Sequence, residues 1–176
     1  MTDTGKQKGF RQMVVAGAGA AGLSTAIAAA ERGLDVDLLE ASGQIGGTIA
    51  KGQLHTLAGL FTLDGGVVES EICRSLVDRL RTGEKRKIGK LWVMQIDPLL
   101  YGRAMAAWLK EYPRLKVHFG SRICRVFIRQ NRIEAAEAEN FKFSAERTAY
   151  VDATGTADLA EQAGQSTDSG ECSFGL

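Results

Sequence analysis

The amino-acid sequence predicts an α/β fold, a parallel sheet with helices packed against it, and two observations carry that prediction. Met13 to Ala16 is a short apolar strand pattern, the Gly/Ala-rich run after it is helical through about Arg32 until Gly33 stops it, and Val36 to Leu39 is strand-like again. Two strands separated by a helix within about 30 residues form a parallel pair, since an antiparallel pair needs only a tight turn. The second observation is that helical and strand periods keep alternating further along the chain. With 176 residues, 44% hydrophobic and 24% charged, the chain suffices for one globular domain with its own core. Twenty-two basic against 21 acidic residues leave a formal net charge of +1, and no long block of either sign points to nucleic acid or an anionic membrane.

The first strand–helix–strand unit carries the chemistry. Gly17, Gly19 and Gly22 interrupt an apolar run at GxGxxG spacing, and glycine within an element costs about 0.5–1 kcal/mol relative to alanine, so a compensating contact is expected. In a strand–turn–helix context this is a dinucleotide fingerprint: Gly17 allows the tight turn, Gly19 admits a pyrophosphate to the helix N-terminus, and Gly22 lets helix pack on strand. Glu40 ends the second strand, placed to accept hydrogen bonds from ribose hydroxyls, and its charge would repel the 2'-phosphate of NADP. The fingerprint alone leaves NAD and FAD open. Lys6, Lys8 and Arg11 before an uncharged run, with Ala28–Ala30 following, imitate a secretory signal. The run is only weakly hydrophobic, however, and continues directly into the second strand, which also disfavours a membrane span.

The middle of the chain fits an α/β plan. Val67, Val68, Ile72, Leu76, Val77 and Leu80 have helical spacing within 66–81, Trp92 to Ile96 is a strand, and Pro98 opens a helix reaching about Tyr112. Residues 115–123 read as strand–turn–strand, and 122–138 and 141–151 as short strands broken at Asn131 and Asn140. The segment 49–66 is glycine-rich and has no clear period. Cys73, Cys124 and Cys172 are far apart and in no CxxC arrangement, which fits a reducing, cytoplasmic compartment better than a disulfide scaffold. No GxSxG, metal-ligand cluster or aromatic-basic surface is evident.

GxGxxG, the acid, the Gly46–Gly47 pair and the late Asp152-Ala153-Thr154-Gly155 followed by an acidic helix together resemble the FAD-dependent oxidoreductase family, whose FAD-binding domain is glutathione-reductase-like and Rossmann-type. The resemblance spans about Met13 to Leu176 and is specific for flavin binding, not for substrate. It implies noncovalent FAD held by a Rossmann-like parallel sheet with helices on one side and a small antiparallel β-meander on the other, over residues 12–164. Residues 1–11 and 165–176 would be tails.

Within that resemblance Gly46, Gly47 and the Thr48 N–H would run beneath the ribityl chain and flavin, and Ala153, Thr154 and Gly155 would close the site from a neighbouring strand end. The Ile123 backbone would hold the adenine edge, while Ala20, Ala21 and Ala41 complete the expected cofactor contacts. Gln53 and His55 lie in the segment that passes beside the isoalloxazine ring. His55 would donate to the flavin, carry a proton or hold the flavin covalently, or is an ordinary loop histidine, and Lys51 is a weaker candidate for the same neighbourhood.

In the family the chain continues after the acidic helix into a substrate-covering domain and returns with a Gly-Asp element. The expectation is therefore a chain that is incomplete alone, with a second polypeptide supplying the remaining strands and most of a small-molecule substrate pocket. A truncated piece or a minimal domain is the alternative. A cofactor-holding subunit without catalysis and an NAD-binding reductase domain are the rival functions.

Overall fold

The computed structural model describes residues 9–80, 83–144 and 146–168. Lys6, Lys8, Cys172 and most of the proposed C-terminal tail lie outside them. Four strands form the parallel sheet: β1 (Gln12–Ala16), β2 (Asp35–Glu40), β6 (Leu115–Phe119) and β10 (Thr148–Asp152), in the order β10-β1-β2-β6. The helix α1 (Ala20–Glu31) crosses from β1 to β2, with Val14 beside Asp37 and Ala16 beside Leu39.

Alternation along the strands gives the sheet two apolar faces. Val15, Val36 and Leu38 point to one side, where α1 and α4 (Pro98–Leu109) bring Leu23, Ile27, Met105 and Trp108. Val14, Ala16 and Leu39 point to the other and pack on Ala136, Ala138 and Phe143. Those three belong to the antiparallel meander β7 (Ile123–Arg129), β8 (Arg132–Ala138) and β9 (Phe141–Ser144), so the sheet lies between a helical layer and a meander.

Four features depart from the sequence reading. Helix α3 is Glu71–Arg79, and begins later than the spacing from residue 66 implied: Ser70 caps it, and Val67 instead bridges to Phe61 in an antiparallel contact. A third sheet, β3 (Thr56–Leu57), β5 (Leu91–Gln95) and β4 (Glu84–Ile88), was not foreseen beyond its β5 strand. The segment without clear period holds a short helix, α2 (Gly47–Lys51), before β3. The last helix, α5 (Asp158–Gln162), is shorter at both ends than the acidic stretch from Thr156 to Ala163 suggests. Among the described residues no helix is long and apolar enough to cross a membrane.

Candidate functional site at the carboxyl ends of the parallel strands

Where β1 ends, the chain has no room for side chains. Gly17 has φ +97°, and a Cβ there would sit 2.5 Å from the carbonyl oxygen of Ala153. A Cβ on Gly22 would overlap the Gly17 carbonyl oxygen, and one on Gly47, itself at φ +52°, would lie 2.7 Å from the Gly19 Cα. These glycines let three backbone segments converge: the β1–α1 turn, the start of α2 and the turn after β10.

Gly19 differs. Its backbone is extended, and a Cβ would meet only the Gly47 Cα, at 3.8 Å, so the protein itself leaves that space open. Gly19 also caps α1 without any side-chain hydrogen bond to the helix. The first-turn N–H groups and the positive end of the helix dipole are thus turned to an open space, an arrangement that favours an anion.

That space is a cleft of about 660 Å³ lined by Gly17, Gly19, Ala20, Ala21, Glu40, Gly46, Gly47, Thr48, Ala153, Thr154 and Gly155, together with Ala18, Ile49, Lys51 and Gly52. An adjoining cleft of about 170 Å³ adds Ala41, Ser121, Arg122, Ile123 and Asp158. Gly22 lines neither and lies beneath the turn. Ile123 is 4% exposed, its side chain serving the core on the meander side while the residue borders the smaller cleft. Gln53 and His55 are not among the lining residues. The Gln53 Nε2 donates to the Ala50 carbonyl at 3.1 Å, and His55 is exposed, its carbonyl accepting from the Ile96 N–H at 2.9 Å.

Glu40 is only 4% exposed. Its Oε2 accepts from the Ala18 N–H at 3.1 Å. Its Oε1 accepts from the Ser42 N–H at 2.8 Å, the Ser42 hydroxyl at 2.7 Å and the Lys51 ammonium at 2.9 Å. Burial pushes this carboxyl's pKa up, but the donors from Lys51, Ser42 and Ala18 together outweigh it and hold the group below its usual range.

Asp152 plays a similar part at the end of β10. Its Oδ1 accepts from the Thr154 N–H and hydroxyl at 2.9 and 2.7 Å, and its Oδ2 from the Ala160 N–H at 2.8 Å. Thr154 Oγ1 accepts in turn from the Asp158 N–H at 2.8 Å, and Asp158 pairs with Arg122 at 3.2 Å. The Ala153-Thr154-Gly155 turn is thereby fixed to α5. Ser42, Lys51, Asp152 and Arg122 had no role, or only a weaker one, in the sequence reading. For Ser42 the one available signal is a hydroxyl two residues after the acid.

Comparison with known proteins gives the family and the fold. A family model described as FAD dependent oxidoreductase matches residues 12–175. No curated protein sequence matches the chain. Among solved structures, Thermovibrio ammonificans THI4 is similar with a TM-score of 0.62 at 16% identity, covering 89% of this chain and 64% of that one. L-proline dehydrogenase from P. horikoshii gives 0.61 at 17%, covering 91% and 57%. p-Nitrophenol 4-monooxygenase PnpA from Pseudomonas putida DLL-E4 gives 0.60 at 12%, covering 91% and 45%. At these identities the likeness is one of fold, and the chain spans 64% of the length of the first of these proteins and less of the other two.

Proposed function

Because the chain belongs to the FAD dependent oxidoreductase family, we propose that it is the FAD-binding part of a flavin-dependent oxidoreductase that holds its cofactor noncovalently in the cleft between α1, α2 and the turn after β10. The observation that carries this reading is Gly19: the protein leaves open the one position of the fingerprint that a pyrophosphate must approach, while the other two glycines are closed by the protein's own backbone. The residues present fit the cofactor. The first turn of α1 offers N–H groups to a pyrophosphate, Glu40 offers a carboxylate to a ribose, and Gly46–Gly47 and Gly155 leave the backbone bare along the cleft.

FAD, once bound, accepts and returns the reducing equivalents of a small-molecule substrate through its isoalloxazine ring. The chain's own contribution is to bind and orient it. A second polypeptide completes the enzyme in this proposal, covering the cleft and supplying most of the substrate pocket. Two features support it: Ala20, Ala21, Thr48 and Gly155 are exposed along the cleft, and among the described residues β10 is an outer strand of its sheet. A cytoplasmic location is part of the same reading, resting on the cysteine usage. Size-exclusion chromatography with mass analysis of the native preparation tests the partner. Copurification with a larger chain is expected, and a monomer of 18.9 kDa that turns over substrate unaided would contradict it.

A further inference from the structure

The hydrogen-bond capacity of Glu40 is already spent where a ribose would need it. Each carboxylate oxygen has two lone pairs. Oε1 receives three donors, from the Ser42 N–H, the Ser42 hydroxyl and Lys51, and Oε2 receives one, from Ala18. A ribose diol brings two hydroxyls: Oε2 has room for one, whereas Oε1 already holds three donors and can take the second only in exchange for one of them. The Ser42 N–H is fixed by the turn two residues from the acid, and the Ser42 hydroxyl, whose single proton also has the Gln44 carbonyl in reach at 3.1 Å, stays beside the acid whichever acceptor it uses, whereas the Lys51 side chain is 47% exposed on a flexible stem. Lys51 is the donor that can leave for the cleft.

It also stands at the right place to move from. Glu40 and Lys51 border both clefts, the one along the α1 N-terminus and the one toward Ile123 and Arg122. Among the described residues lining the larger cleft, Lys51 is the one basic side chain, and the same cleft holds the anion-favouring end of α1. Resting on the FAD-binding reading above, we propose that Lys51 is an exchangeable counter-ion. It neutralises Glu40 while the site is empty, and transfers to the dinucleotide pyrophosphate when the ribose hydroxyls take its place on the carboxylate.

This account predicts opposite signs for two fragments of the cofactor. Adenosine has the ribose but no phosphate, so Lys51 only competes with it. ADP has both, so Lys51 helps more than it competes. In the full chain, Lys51→Met should weaken ADP and FAD about tenfold, as loss of a charge-assisted contact to phosphate does, and leave adenosine as tight or tighter in NMR-detected titrations. Lys51→Arg should restore ADP affinity. In a Glu40→Gln background, Lys51→Met should still weaken ADP by a similar factor, which a lysine acting only by holding Glu40 would not do. Equal weakening of adenosine and ADP, or no change in either, would overturn the exchange. A wild-type chain that binds neither FAD nor ADP would instead overturn the reading beneath it.

Discussion

Gly19 and Gly22 share one motif and are subject to opposite constraints. At Gly22 a methyl group has no room, because the Gly17 carbonyl oxygen already occupies its place. Gly22→Ala is expected to cost about 1–3 kcal/mol or more through overpacking, read as a lowered midpoint in denaturant, and an unshifted midpoint would contradict the packing described here. At Gly19 the nearest obstacle is 3.8 Å away, so Gly19→Ala should cost only the poorer helix cap that alanine makes, and less than Gly22→Ala. Glu40 combines the two kinds of constraint: it offers charge to the cleft and also ties together Ala18 N–H and Ser42. Despite its burial, its donors keep it ionised below the ordinary value of 4.5. A folded-state pKa below the unfolded one means that its stabilisation is present above about pH 4.5 and is lost as the pH falls through the lower folded value. Denaturant titrations from about pH 7 to about pH 3 should therefore show an acid-side loss that Glu40→Gln reduces. An identical acid limb in the variant would show that the carboxyl is not held in this way.

At the scale of elements, legibility in the sequence followed the presence of an apolar face. β1 and β2 could be read to within a few residues because apolar residues occupy both of their faces, and α1 because its buried face lies between Gly17 and Gly33. The strand β4, EKRKI, could not, since all five residues are exposed and none marks an inward face. It exists because β5 offers it a full antiparallel register from Glu84–Gln95 to Ile88–Leu91. The helix α3 was extended too far because Val67 and Val68 imitate its spacing, and only the Ser70 cap and the Phe61–Val67 bridge set its start. The helix α4 was plain from Pro98 at its first turn, and Asp97 completes the signal by accepting from the Leu99 and Leu100 N–H groups at 2.7 and 3.1 Å. Asp97→Ala should cost about 1 kcal/mol, within the 0.5–2 kcal/mol typical of helix caps, as a fall in Tm. No change in Tm would mean that water replaces the cap at no cost.

Across the whole molecule, the parallel sheet is clamped between a helical core and a meander core, and both are built from alternate residues of the same strands. That arrangement fixes the carboxyl ends of β1, β2 and β10 in register, with Ala16 paired to both Leu39 and Asp152. The cleft therefore gathers residues far apart in sequence, from Gly17 to Gly155. The glycines and Glu40 were legible because a motif with fixed spacing announces them. The Lys51–Glu40 pair and the Asp152–Thr154–Asp158 chain of hydrogen bonds were not, since they depend on how α2 and α5 fold back onto the sheet. The central claim is that this cleft holds FAD and that Gly19 admits its pyrophosphate. Equilibrium titration of FAD into the purified chain and its Gly19→Val variant, followed by flavin fluorescence alongside thermal unfolding, tests it most directly. The account predicts binding to the wild type, and loss of binding in a variant that still unfolds cooperatively; equal binding by both proteins, or none by the wild type, would contradict it.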